Sequence, residues 1–304
     1  KTAYEIVSRD WSSDVCSSDL LVSALGDVTV GYPKYSFNST GIYSFSEAQA
    51  NAILDLRLCD LPLAIEGTLA ERIERLRGEL AEKGLAYTGH HMNLHAGDQK
   101  KPEYLKLNPK GVVPTLVHDG FVVCESVVIN EYLDEVFPAV PLVPHDAYQR
   151  ARMRAWKAYI DEVPTPAIRV PSFNAFILKG WAAMSDADYE RAVETRTVRR
   201  HFYRHMGREG FDAQDLAESL ERLRDALERM EKSLAGGPWV TGEAFTIADI
   251  ALMPTVVRLE DLKLTRLWTD LPRVADWYAR IQARPAFAAT YYPGSRPDIP
   301  ESPC

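Results

Sequence analysis

Two residue pairs in the middle of the chain are placed to hold a small polar ligand. Glu125 and Ser126 stand where the apolar run FVVC gives way to the helical pattern ESVVINEYLDEVF. A helix start exposes unpaired N–H groups and carries partial positive charge, so an anion is stabilised there. The Ser126 hydroxyl and N–H suit a carboxylate, and Glu125 suits an ammonium beside it. Taken alone, Glu-Ser also reads as an ordinary helix cap. Upstream, in LNPKGVVPTL, lies Val113-Pro114. Before proline the cis peptide bond costs only ~0.5–1 kcal/mol, so this pair can turn the chain where other residues cannot.

The elements around these pairs are short and alternate. LAEKGLAY ends a helix at Gly84, which can take the left-handed conformation. A strand is predicted from Tyr87, with His91 and Asn93 alternating with Met92 and Leu94. After HAGDQKKPEYLKLNP come TLVHDG and FVVCES, two strands joined by the turn pair Asp119-Gly120. Val128, Ile129, Tyr132, Leu133 and Val136 then recur at helical spacing. Strand, helix, two paired strands and helix make the second half of a thioredoxin-like domain. The Pro-rich residues 139–145 read as a linker. Beyond it the pattern is helical. AYQRARMRAWKAYIDE ends near Pro164, and DAQDLAESLERLRDALERMEKSL is closed by Gly236-Gly237-Pro238. Thr246 and Asp249 form a capping-box start, and PRVADWYARIQARPAF is a last helix with Pro272 in its first turn.

Composition narrows the function classes. The chain has 304 residues and a net charge of -8, and an acidic surface repels phosphate backbones, which argues against nucleic acid. Its four cysteines (Cys16, Cys59, Cys124 and Cys304) show no CxxC spacing, so neither a metal site nor a dithiol centre is expected. Scattered cysteines suit a reducing compartment. No apolar run approaches the ~20 residues of a membrane span, and no secretion signal is recognisable. A cytoplasmic protein without a membrane partner is expected.

LNPKGVVPTL with ESVVINEYL resembles the glutathione-binding half of cytosolic glutathione transferases. TIADI and WYARIQARPAF resemble the same family independently, in family order, so the likeness spans about residues 80–293. GFVVCESVVINEYLDEVFP and RARMRAWKAYIDE look closest to bacterial members of the β-etherase type, which cleave aryl ethers with glutathione. The resemblance implies a cis Val113–Pro114 bond, with Val113 offering its N–H and C=O to the cysteinyl part of glutathione and Pro114 holding that geometry. It implies Ser126 at the γ-glutamyl carboxylate, Glu125 at the ammonium of the same end, and Gln99 and Lys100 near the glycyl carboxylate. A polar loop is the plainer reading of Gln99-Lys100. Thr246 and Asp249 are structural. Glutathione is the co-substrate, no metal is implied, and the partners are a small electrophilic, aromatic substrate and a second copy of the chain in a homodimer.

The first 78 residues depart from this pattern. Residues 8–20, SRDWSSDVCSSDL, resemble translated sequencing-adapter read-through; a natural disordered leader is the alternative. FSEAQANAILDLRL, at residues 45–58, has Ala50, Ile53, Leu54 and Leu58 on one helical face and resembles the A subunit of DNA gyrase. That likeness covers about one helix, and no topoisomerase activity follows from it. A chimeric, poorly ordered segment is therefore expected over 1–78, with the first strand and catalytic loop missing. The family stabilises the thiolate with a Ser, Cys or Tyr near the start of the first helix. Here LCDLPLAIEGTLAERIERLRGEL offers only Thr68 and Cys59, neither well aligned.

The fold expected is thus α/β plus all-α: a partial thioredoxin-like domain over 79–138, the linker 139–145, an all-helical domain over 146–293 and a tail over 294–304. The expected function is conjugation of the glutathione thiolate to an electrophilic small molecule, with aryl-ether or halide cleavage. The rival is a non-catalytic binding or dimerisation module.

Overall fold

The computed structural model of the chain describes residues 54–57, 67–90, 92, 94, 97–196 and 198–296. All belong to one compact unit, Ala50–Cys304. Its first part runs β1 (Leu54–Arg57), α1 (Gly67–Glu82), β2 (Tyr87–Gly89), a 3-10 turn (Asp98–Lys100), α2 (Pro102–Leu105), β3 (Thr115–His118), β4 (Phe121–Cys124) and α3 (Ser126–Val136). The four strands form one sheet in the order β2-β1-β3-β4. β1 pairs parallel with β2 and antiparallel with β3, with Leu56 opposite both Gly89 and Leu116. This is a thioredoxin-like sheet followed by helices, as expected.

Two expectations at its start are corrected. The first strand is not missing, because β1 lies inside the sheet, ahead of the predicted boundary at 79. Residues 54–57 are also a strand where the apolar spacing suggested a helix. A slot between β2 and β3 leaves both neighbours with unpaired backbone groups, and filling it outweighs a local helical pattern. β2 is shorter than predicted and ends at Gly89. Of the segment 1–78 expected to be poorly ordered, residues 1–53 and 58–66 fall outside the described residues, as do Cys16 and Cys59.

The β3–β4 hairpin turns at Asp119-Gly120, with φ of 50° and 81°. Positive φ at both positions is the two-residue turn that matches strand twist. α1 is buried on two sides. Ile73, Leu76 and Leu80 recur at helical spacing and join Leu116, Ile129 and Leu133 in the sheet-side core. Full burial of each such side chain stabilises by ~1.5–3 kcal/mol. The opposite side of α1 faces the helical domain. There a Cβ on Gly78 would meet Met253 Cε at 3.2 Å, so glycine permits the close approach. Arg75 donates to Asp161 at 2.7 Å and to Thr165 at 2.8 Å, and Arg284 grips Glu82 through two bonds of 2.5 and 2.6 Å.

The linker is fastened by one buried carboxylate. Asp134 accepts from Lys83 Nζ at 2.6 Å and from the N–H groups of Leu142 and Val143. The second part then runs α4 (Ala147–Glu162), α5 (Pro164–Ser172), a π-helical turn (Phe173–Ile177), α6 (Leu178–Ala182), α7 (Asp186–Glu194), α8 (Arg200–Met206), α9 (Ala213–Ser233), α10 (Ile247–Asp261), α11 (Pro272–Gln282) and α12 (Pro285–Thr290). Its core centres on α10, most of which is buried. The predicted last helix is two. It breaks at Ala283-Arg284 because the residue before Pro285 is biased away from helical backbone. Among the described residues no helix is long and apolar enough to cross a membrane.

Candidate glutathione site

The N-terminus of α3 is the centre of the site. Glu125, its N-cap, has φ of 69°, a region seldom used by residues other than glycine and often found at functional positions. This twist ends β4 and starts the helix within one residue. Ser126 is buried. The first α3 amides bonded to the Glu125 carbonyl are those of Val128 and Ile129, which leaves the N–H groups of Ser126 and Val127 without an intrahelical acceptor. The Ser126 hydroxyl makes no hydrogen bond among the described residues. Two donors, a hydroxyl and the helix dipole thus converge at one point.

The loop ahead of β3 is braced toward this point. Tyr104 donates its hydroxyl to the Val112 carbonyl at 2.6 Å, and Asn108 Nδ2 donates to the same oxygen at 2.7 Å. Val113 follows, fully buried, and its bond to Pro114 is cis, as the resemblance implied. Neither the N–H nor the C=O of Val113 has a hydrogen-bond partner among the described residues. Gln99 is buried, with Nε2 3.4 Å from the Leu94 carbonyl and Oε1 unpartnered. The 97–100 turn lies over the same loop: a Cβ on Gly111, at φ +59°, would come within 2.9 Å of both the Gln99 carbonyl and Lys100 Nζ. Gln99 and Lys100 therefore lie against Gly111, in the loop that runs through Val113 and Pro114 into β3, the neighbour of the strand that leads into Glu125.

Glu125 differs from the simplest expectation. Its carboxylate accepts from Lys110 Nζ at 2.8 Å and lies 3.6 Å from Arg72. Burial works to raise this carboxyl, but the Lys110 hydrogen bond and the Arg72 charge outweigh it and hold it below the usual range. A ligand ammonium here would join or displace Lys110, which is largely exposed. Sequence reading missed Lys110 and Arg72, as well as the bracing pair Tyr104 and Asn108. Asn108 and Lys110 flank the proline of the NPKG run, which was the available signal.

Thr68 is the second residue of α1; its side chain and the preceding loop, residues 58–66, lie outside the described residues. In the helical part, Thr246 and Asp249 form the capping box that caps α10. Asp249 does more than cap, because its Oδ1 also accepts from the Val240 N–H at 3.0 Å and from Trp277 Nε1 at 2.9 Å. Burial nevertheless pushes its carboxyl up to about 6 against these donors.

Known proteins share this architecture. The glutathione S-transferase N-terminal domain matches residues 67–135, and the glutathione S-transferase C-terminal domain matches residues 213–280. Protein LigF from a Sphingobium species is 30% identical over 231 residues, 72% of this chain and 89% of LigF. A probable maleylacetoacetate isomerase from Vibrio cholerae is 30% identical over 230 residues, covering 74% and 92% of the two chains. The crystal structure of beta-etherase LigF superposes with a TM-score of 0.67 at 29% identity, over 78% of this chain and 98% of that one. Fold, identity and coverage agree, and the chain belongs to the glutathione S-transferase family.

Proposed function

We propose that this protein binds glutathione at the N-terminus of α3 and transfers its sulfur to an electrophilic carbon of a small molecule. The observation that carries this reading is the convergence of unpaired donors, the Ser126 and Val127 N–H groups and the Ser126 hydroxyl, beside the unpaired backbone of Val113. The γ-glutamyl carboxylate would take the helix end, the cysteinyl unit would pair with Val113 like an added strand edge, and Gln99 and Lys100 would meet the glycyl carboxylate.

The chemistry needs the thiolate, and a free thiol has a pKa of ~8.5. The thiol proton leaves to solvent, sulfur bonds to the electrophilic carbon, and the departing aryl oxide or halide takes the electron pair of the broken bond. Thr68, at the start of α1, is the hydroxyl to test as the thiolate's partner. Aryl-ether cleavage is the first chemistry to try, since the relative LigF is described as a beta-etherase.

The homodimer also becomes a specific proposal. Phe121 and Val128 are exposed apolar residues on β4 and α3. Val128 lines a groove of about 480 Å³ that carries Glu131 and Glu135 together with Arg154 and Lys157. A surface bearing both signs of charge around apolar side chains is self-complementary under two-fold symmetry, so a second copy is the occupant. Sedimentation should give a dimer for the parent and a monomer for Phe121→Glu; a monomeric parent would refute this.

The deciding experiment for the function is a calorimetric glutathione titration followed by turnover with a reactive aryl halide. Binding with turnover supports the transferase. Binding without turnover supports a non-catalytic module. Absence of binding refutes the transferase and leaves a dimerisation module.

A further inference from the structure

Two amides and a hydroxyl at the start of α3 are the proposed seat of the ligand's carboxylate, and a buried cation stands behind them. Lys157, on α4 in the helical part, is 6% exposed. Its ammonium reaches across to α3 and donates to the Val127 carbonyl at 3.1 Å. Val127 is one of the two residues whose N–H is left over at the helix start. A second donation, to Glu131 Oε1 at 2.7 Å, ties the ammonium one turn further along α3. Arg154 donates to the other oxygen of Glu131, at 3.2 and 2.7 Å. Burial works to raise the Glu131 carboxyl, but the hydrogen bonds from Lys157 and Arg154 outweigh it and hold it below the usual range.

The stability of α3 does not call for an ammonium here. A carbonyl in a first helical turn already accepts from the amide four residues on, and burying a charge is costly. Nor do the surrounding acids cancel it. Glu131 is shared with Arg154, and Asp161, in the same groove, is held by Arg75 at 2.7 Å. Glu135 lies a further turn along α3. Glu79, on α1, is fully buried and makes no hydrogen bond, and burial pushes its carboxyl well above the usual range, toward the neutral form. The Lys157 bond, one residue of backbone and one hydrogen bond to a ligand together span no more than about 10 Å. That is about a Debye length, crossed through protein rather than water. A unit charge at this range contributes about fivefold or more to the affinity for an anion.

We infer that Lys157 is a positioning residue for the glutathione site: held on the Val127 carbonyl, its ammonium fixes the first turn of α3 and adds positive charge behind the γ-glutamyl carboxylate. On the glutathione reading, on which this rests, the site extends from the thioredoxin-like part onto α4. Lys157 does not touch the ligand. It acts through the Val127 backbone and through its charge.

The test compares the full chain with Lys157→Met, Lys157→Gln and Lys157→Arg. Each is titrated by calorimetry with glutathione and with the analogue whose γ-glutamyl unit is replaced by γ-aminobutyryl, which lacks the carboxylate in question. Sedimentation is measured on the same samples. Lys157→Met and Lys157→Gln should weaken glutathione about fivefold or more and the analogue less than about twofold. Lys157→Arg keeps the charge and should stay within about twofold of the parent for both ligands. Lys157→Gln, which keeps a donor for Val127, serves if Lys157→Met does not fold. If the analogue is too weak to titrate, the contrast between Lys157→Gln and Lys157→Arg decides, since both retain a donor and only one retains the charge. Unchanged glutathione affinity in the neutral variants overturns the inference. Equal weakening of both ligands also overturns it, by reducing Lys157 to a packing residue, as does a loss of affinity that appears only where sedimentation shows changed assembly. A parent that binds neither ligand overturns the glutathione reading and this inference together, whereas a parent that binds glutathione and is indifferent to Lys157 overturns this inference alone.

Discussion

Replacing Glu71 by glutamine should stabilise the protein at pH 8 and do little to its pH-independent stability. Glu71 lies on α1, fully buried between the sheet and the helical part, with neither oxygen hydrogen-bonded. Burial lifts its carboxyl from 4.5 to about 7, against the lowering pull of Arg75, Arg258 and Arg169. The folded protein therefore holds this proton more tightly than the unfolded chain. Below 4.5 both states carry it and there is no penalty. Between 4.5 and about 7 the folded state binds more protons, so stability falls as pH rises through that window. Above it the penalty is complete, about 3 kcal/mol at ~1.4 kcal/mol per pH unit. Glutamine keeps the shape and cannot ionise, so the stability difference between variant and parent should grow by that amount from pH 4.5 to 8. For a chain of this size that is about 6–12 °C in melting midpoint. Thermal melts of both proteins across that pH range are the assay, and the readout is the slope of the difference. A difference that does not change with pH would show that Glu71 is ionised and satisfied in the folded state, refuting the argument. A variant that loses ground as pH rises would show that its charge attracts the surrounding arginines more than burial penalises it.

Ser126→Ala should raise the glutathione dissociation constant by roughly tenfold, because a hydrogen bond to a charged carboxylate contributes ~1.5–3 kcal/mol. Calorimetry on both proteins checks this, and a lowered melting midpoint with unchanged affinity would reduce Ser126 to a cap. Asp249→Ala should destabilise by about 3 kcal/mol or more, since the Val240, Thr246 and Trp277 donors would all be left buried and unpaired; denaturant unfolding measures it. Gly111→Ala should weaken glutathione binding more than it lowers the melting midpoint. The new Cβ would press to 2.9 Å from Lys100 Nζ at a positive φ, shifting the loop that carries Val113.

Much of the candidate site was legible because its residues sit at element boundaries, where chemistry and local structure coincide. Glu125 and Ser126 mark a strand-to-helix junction, and Val113-Pro114 marks a turn into a strand; both are local facts of residue type and order. Lys110 and Arg72 were not legible, because the one is a loop lysine and the other a charge in the run ERIERLRGE. Only the fold sets them beside Glu125. Tyr104 and Asn108 looked like ordinary loop residues, yet they meet on one carbonyl, that of Val112.

Local pattern alone determined the hairpin at Asp119-Gly120, the stop at Gly84, the capping box at Thr246 and the two long helices α4 and α9. Each depends on backbone preferences or on a hydrophobic stripe that reaches only a few residues along the chain. Tertiary structure decided what local pattern had no means to express. It made residues 54–57 a strand, because two neighbouring strands offered unpaired backbone groups that a helix there would leave unsatisfied. It also buried α1 on both faces, so that the charged residues Glu71, Glu74, Arg75 and Glu79 lie between two layers. Burial is a property of what packs against a residue, and those partners, Asp161, Thr165, Arg258 and Tyr291, arrive from 86 to more than 200 positions away along the chain.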